Sequence, residues 1–354
     1  MNVDRIELPR PDDWHLHLRD GAALRELVAH SARQFGRAIV MPNLRPPITS
    51  VAMALAYRER ILAAVPAGLA FEPLMTLYLT PATTTADIDA AVACPYVHGV
   101  KLYPAGATTN ADSGVRDLDG VDTVLSAMAA GGLPLLVHAE SIDPEVDVFD
   151  REAVFVRETL SRVVERHPQL RLVVEHVSTA QAVEWVRDAP DHVGATITAH
   201  HLLYDRNAMF QGGIRPHLYC LPVLKRARHR QALVAAATSG NPKFFLGTDS
   251  APHERSTKET GCGCAGTFTA HAALELYAEV FDRAGALDRL ADFASRFGPG
   301  FYGLPVATDR VTLERQAWTV PASYPLGALG EGELVPLRAG EEIPWRLVAA
   351  DAIR

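Results

Sequence analysis

The stretch LPLLVHAESIDPEVDVFDREAVFVRETLSRVVERHPQLRLVVEHVS, residues 133–178, reads as one complete structural unit. Its ends, LPLLVHAE (133–140) and LRLVVEHVS (170–178), are nearly continuous apolar runs, the pattern of strands buried on both faces. Between them, DREAVFVRETLSRVVERHP carries apolar residues at helical spacing and stops at Pro168. Strand, helix, strand predicts a parallel pair joined by a crossover. Each strand also carries a histidine near its end, His138 in the first and His176 in the second.

The same alternation extends in both directions. Upstream strand candidates are HLHLR (15–19), RAIVMPN (37–43), FEPLMTLYLT (71–80) and VHGVKLYP (97–104); downstream ones are VGATITAHHL (193–202) and KFFLGTDS (243–250). DLDGVDTVLSAMAAGG reads as a helix closed by a glycine pair, and TAQAVEWVRDAP as one stopped by Pro190. Eight strand–helix units within the first 300 or so residues predict an α/β fold, a (β/α)8 TIM barrel. A doubly wound open sheet is the alternative, and no GxGxxG between a predicted strand and helix supports it. After residue 305 the pattern breaks into a Pro/Gly-rich tail with two strand-like runs, VTLERQAW and IPWRLV. The expected organisation is a barrel over 1–305 and a short C-terminal extension over 306–354 packed on it.

Composition narrows the function classes. The chain has 354 residues, 48% of them hydrophobic and 21% charged, with a formal net charge of −8. That is a globular balance, and without a Lys/Arg block it speaks against nucleic acid as partner. No apolar run approaches the roughly 18 residues of a membrane span, and MNVDRIELPRPDD has no apolar signal-peptide core. Cys94, Cys220, Cys262 and Cys264 show no repeated CxxC spacing, so neither a zinc ribbon nor a disulfide framework is expected, and a reducing cytoplasm is the expected location. CGC at 262–264 reads as a tight loop.

The chemistry-bearing residues fall at predicted strand ends. In DWHLHLRDG (13–21), His15, His17 and Arg19 share one face of an extended chain and Leu16 and Leu18 the other. Lys101 follows on the fourth strand, His138 on the fifth, His176 on the sixth and Asp249 at the end of the eighth. Singly, each has an ordinary reading: a core histidine, a snorkelling lysine, a turn aspartate, a salt-bridging arginine. Together they would converge on the catalytic face of a barrel. Four imidazoles and a carboxylate are ligands for zinc or a similar divalent ion, and they exceed what one open catalytic zinc uses. Two cations about 3.5–4 Å apart fit better. Such a pair needs an anionic bridge, and a neutral Lys101 amine that adds carbon dioxide becomes one, a carbamate on a long arm.

These residues and the strings RPDDWHLHLRDG, GRAIVMPN, KLYPAGATTNADSGV, GGIRPHLYCLPVLKR, LGTDSAPH and CGCAG together resemble the amidohydrolase superfamily, and within it the short stand-alone bacterial dihydroorotase family, over residues 9–305. The resemblance implies reversible cyclisation of N-carbamoyl-L-aspartate to (S)-dihydroorotate in pyrimidine (UMP) biosynthesis. It implies two Zn2+ per subunit, with cobalt or manganese as substitutes. His15, His17, carbamylated Lys101 (N6-carboxylysine) and Asp249 would hold one ion; Lys101, His138 and His176 would hold the other. Asp249 would be the general acid/base acting with a bridging hydroxide. Arg19, Asn43 and His253 would clamp the second substrate carboxylate. His138 and main-chain groups at Leu221 and Ala265 would complete the substrate site, and Thr108 and Thr109 of a flexible loop (104–115) would close over it. A homodimer is implied as well. His200 and His201 receive no role.

Alternatives stay open at this point. Another cyclic amidohydrolase, acting on hydantoins or dihydropyrimidines, would share the metal site but have no use for the carboxylate clamp. A mononuclear deaminase would not need Lys101. A non-catalytic scaffold would not need six polar groups facing one cavity.

Overall fold

The computed structural model describes residues 3–261, 263–327 and 332–348. Its first ten strands are β1 (Arg5–Pro9), β2 (Asp12–Leu16), β3 (Arg37–Val40), β4 (Glu72–Tyr78), β5 (Val97–Leu102), β6 (Leu135–Val137), β7 (Leu172–Val174), β8 (Val193–Ile197), β9 (Phe244–Leu246) and β10 (Arg310–Glu314), and five short strands follow in the tail. β2 to β9 form one eight-stranded parallel sheet in sequence order. Helices Leu24–Ala32, Val51–Ala64, Thr85–Ala93, Asp122–Gly131, Ala180–Asp188, Ala227–Ala237 and Ala273–Arg283 lie along the chain between or after these strands. The expected helix ending at Pro168 runs as Arg151–Phe155 and Ser161–Arg166 around a wider turn at Val156–Leu160. The (β/α)8 expectation is met.

The sheet closes between its first and last strands. His17 N donates to Ser250 O (3.2 Å) and Asp249 N to His15 O (2.9 Å). The buried Asp13 carboxylate adds a clasp, accepting from Thr248 N at 2.9 Å and Thr248 Oγ1 at 2.6 Å. Inside the barrel, Trp14, Ile39, Leu74, Leu136, Val173 and Phe245 form one apolar layer. Trp14 stacks on Tyr302 with centroids 4.4 Å apart, and Phe301 from the same helix (Phe297–Tyr302) closes the end beside Arg171, at the start of β7. The plugged end leaves only the opposite face for chemistry.

β1 lies outside the barrel. It pairs antiparallel with β10, which pairs with Arg346–Val348. The tail therefore holds both ends of the described chain. The Arg315 guanidinium reaches Asp282 (2.5 and 2.9 Å) and stacks on Trp345, fixing the tail to helix Ala273–Arg283.

Candidate metal centre

The first strand differs from the expected 15–19. β2 ends at Leu16, and its register slips against β3 between Asp13 and Leu16. The slip is what aims the histidines. Trp14 belongs to the inner layer, yet Leu16 and Leu18 pack in the outer core with the helices. A bulge changes strand parity, so His15 and His17 both face the barrel mouth beyond Trp14. Gly247 leaves room for Thr196 and His15: a Cβ there would stand 2.6 Å from Thr196 Cβ and 3.2 Å from His15 Cβ.

Three residues of the site sit on unusual backbone. Val173 faces the interior and alternation turns Glu175 the same way. His176 would then point outward, and a φ of 42° turns it in. Asp249 has φ 43° and Arg19 φ 56°. Left-handed backbone at non-glycine residues costs roughly 1–3 kcal/mol each and clusters where function holds it.

The geometry is compact. His15 Nε2 and His17 Nε2 lie 3.3 and 3.2 Å from Asp249 Oδ1 and 3.2 Å from each other. His138 Nδ1 lies 3.2 Å from His176 Nε2. The His15 and His176 rings are 5.0 Å apart, joining the two groups. Lys101 is wholly buried, with its amine against Glu175. The outer nitrogens of two rings are hydrogen-bonded, His17 Nδ1 to Asn43 Oδ1 (2.9 Å) and His138 Nε2 to Glu140 Oε2 (2.8 Å), while His15 Nδ1 lies 3.2 Å from Glu175 Oε1 without hydrogen-bond geometry. Glu140 and Glu175 are missed by the sequence reading. Carboxylates in HAE and EHV look like ordinary strand-end charges, and only their place inside apolar runs hints at burial.

Electrostatics suit cation binding. Burial holds the His15, His17 and His176 imidazoles below their usual range, so lone pairs are free. Burial likewise depresses Lys101, favouring a neutral amine. Asp249 would be raised by burial, but His15, His17 and His176 around it hold it well below the carboxylate range. His176 Nδ1 is a buried donor atom with no hydrogen-bond partner among the described residues, and Lys101 Nζ has only its contact with Glu175. His15, His17 and Asp249 present ligand atoms all within 4.8 Å of one another, as do His15, Glu175 and His176. Facing lone pairs at such distances fit cations in the centre.

The remaining expected residues surround this core. Arg19, Asn43, Thr108, Thr109, Leu221 and Ala265 line the same cavity. Arg19 donates to Pro252 O (3.0 Å) and contacts His253 Nε2 (3.0 Å). Burial, then Arg19, pushes the His253 imidazole down to about 2, so it accepts from Arg19 here. Asn43 is committed on both sides: Oδ1 to His17 and Nδ2 to Thr109 O (3.1 Å). The 104–115 loop is thus packed down. Thr109 Oγ1 donates to Ala265 O (3.4 Å) and Asn110 Nδ2 to Asn43 O (3.0 Å). The cavity beneath is about 20 Å3, room for about one water.

The Ala265 segment is held by a residue the sequence reading passes over. Lys258 Nζ donates to the carbonyls of Tyr219 (3.1 Å), Cys264 (2.8 Å) and Gly266 (2.6 Å). Cys262 lies outside the described residues. His200, His201 and Cys220 also cluster, but His201 is occupied by Thr198 Oγ1 (2.7 Å) and Pro222 O (3.0 Å), and burial pushes the Cys220 thiol up to about 12. That trio offers no free ligand set.

Residues 13–322 match the amidohydrolase family model. A Methylobacillus flagellatus dihydroorotase is 65% identical over 342 residues, covering 97% of this chain and 98% of that one. The crystal structure of a Campylobacter jejuni dihydroorotase superposes with a TM-score of 0.88 at 36% identity, covering 98% of each chain. A Saccharomyces cerevisiae dihydroorotase solved with 5-fluoroorotic acid gives 0.90 at 31%, covering 98% of this chain and 99% of that one.

Proposed function

The chain belongs to the amidohydrolase family, among its dihydroorotases, and from that premise we propose that its site cyclises N-carbamoyl-L-aspartate reversibly to (S)-dihydroorotate around two divalent cations, zinc in the first instance. The observation that carries this reading is the meeting of His15, His17, His138, His176 and Asp249 around the buried Lys101. When bound, the cations supply Lewis acidity for the ring carbonyl and an acidified water.

The protein's own groups do the rest. The buried Lys101 amine would add carbon dioxide, forming an N–C bond and releasing one proton, and the carbamate so formed would supply the negative charge that two neighbouring cations need. Asp249, which lies well below the usual carboxylate range and is therefore ionised, takes a proton from the attacking water and passes it to the departing ring nitrogen. In the biosynthetic direction it removes the ureido proton as that nitrogen attacks the carboxyl carbon. Closure consumes a carboxylate charge, so the ring is favoured as pH falls. Arg19 and Asn43 lie at the cavity wall, with His253 behind Arg19 and in contact with it, and in this reading they grip the second carboxylate. Free Cys94, Cys220 and Cys264 suit a reducing cytoplasm. The reading also carries a homodimer, which light scattering of the purified chain tests.

The discriminating experiment assays dihydroorotate and hydantoin side by side on one metal-analysed sample. Turnover of dihydroorotate alone is expected; turnover of hydantoin alone overturns the substrate assignment. Replacing Arg19 by Met should lower kcat/KM for dihydroorotate by about 10- to 100-fold, mainly through KM, because a charged hydrogen bond of about 1.5–3 kcal/mol is lost. An unchanged KM would remove Arg19 from the clamp. Thr109→Ala should lower turnover about 3- to 10-fold with metal content unchanged, the cost of one hydrogen bond of the closed loop. Equal turnover would leave the loop without that role.

A further inference from the structure

We propose that Glu175 is a positioning residue that stands between His15 and Lys101 and, in the loaded centre, accepts an N–H from each, fixing which His15 nitrogen faces the cations and where the lysine arm ends. The inference rests on the metal-centre reading above and adds a residue to it. Glu175 is buried and its carboxylate has two polar neighbours, His15 Nδ1 at 3.2 Å from Oε1 and the Lys101 amine against Oε2. Neither carboxylate oxygen has a partner of ordinary hydrogen-bond geometry among the described residues.

A neutral imidazole carries one N–H, and the atom that bears it is set by the acceptor it meets. With Nδ1 facing a carboxylate, the proton sits on Nδ1 and the lone pair on Nε2. Nε2 is the atom 3.3 Å from Asp249 Oδ1 and 3.2 Å from His17 Nε2. Glu175 therefore turns the correct nitrogen inward, as Glu140 does for His138 at the opposite ring position. The second contact survives modification. An amine that becomes a carbamate keeps one N–H, and Oε2 of Glu175, already against that nitrogen, would accept it. One carboxylate thus ties a ligand of the first strand to the bridging arm of the fourth. A hydrogen-bonded carboxylate behind a metal-ligating group commonly changes metal affinity by about 10- to 100-fold.

The test compares wild type, Glu175→Ala and Glu175→Gln, each loaded with zinc and then titrated with chelator. Zinc per chain is measured, and the imidazole N–H proton resonances are recorded, with that of His15 assigned by its loss in His15→Asn. Glu175→Ala should release zinc at about 10- to 100-fold lower chelator and lose the His15 Nδ1–H resonance. Glu175→Gln should fall between the two. Its amide oxygen accepts from one neighbour, but its NH2 meets the other donor to donor. Wild-type zinc retention in Glu175→Ala with the His15 resonance unmoved overturns the proposal. Should Glu175→Ala not fold, Glu175→Gln decides by the same two readouts. A wild type that holds no stoichiometric zinc defeats the metal-centre reading itself; a wild type that holds two while both variants match it defeats this inference alone.

Discussion

Replacing Lys101 by Ala is expected to abolish turnover and strip the metal centre together. Lys101 is the one cationic side chain wholly buried among the ligands, and burial disfavours its charge. As a carbamate it would be the anion between two cations; without it their mutual repulsion is unscreened and both are held by histidines and one aspartate. The loss should reach on the order of 10⁴-fold or more, since Lewis-acid stabilisation and the poised base, each worth about 10²-fold or more, disappear together. A short carboxylic acid supplied in the buffer should enter the vacated space and restore part of both metal content and rate. The measurement is zinc per chain and kcat on the same preparation, with and without propionate, beside a melting curve that establishes folding. Full activity without rescue would rule out the bridge.

The second large effect concerns Asp249. Asp249→Asn preserves size but removes both the base and a negative charge from contact with His15 and His17. With zinc held in excess, kcat should fall about 10²- to 10⁴-fold in both directions, the usual range for a lost general acid/base. Loss in both directions matters, because one group serves hydrolysis and closure in turn. A kcat within tenfold of wild type at full metal occupancy would assign the proton transfer to another group. Tyr103, buried with an unpartnered hydroxyl on the cavity wall, would then be the next to test.

Much of this was legible from residue patterns, for identifiable reasons. Buried parallel strands write themselves as apolar runs, so all eight barrel strands were visible and their polar ends stood out. The His15–Leu16–His17–Leu18 alternation was read correctly as two faces, although β2 ends at Leu16. The extended chain carries the alternation past the last ladder bond. The bulge that turns both histidines inward depends on pairing with β3 and leaves no mark in the string. His176 shows the same limit. Strict alternation from Val173 sends it outward, and a backbone angle settled by the tertiary fold brings it back. Strand β1 was unreadable because its partner, β10, lies at the far end of the chain. Glu175 and Glu140 were missed because a carboxylate's ordinary place is the surface, and nothing local says which imidazole it will orient. The packed-down state of the 104–115 loop rests on Asn43, Asn110 and Ala265, three segments that only the fold brings together.

The most direct test is a crystal of the zinc-loaded protein measured at the zinc absorption edge. The account predicts two anomalous peaks about 3.5–4 Å apart, one beside His15, His17 and Asp249 and the other beside His138 and His176, with density for a carbamate joining Lys101 to both. A single peak, peaks elsewhere, or a bare Lys101 amine reaching neither ion would contradict it.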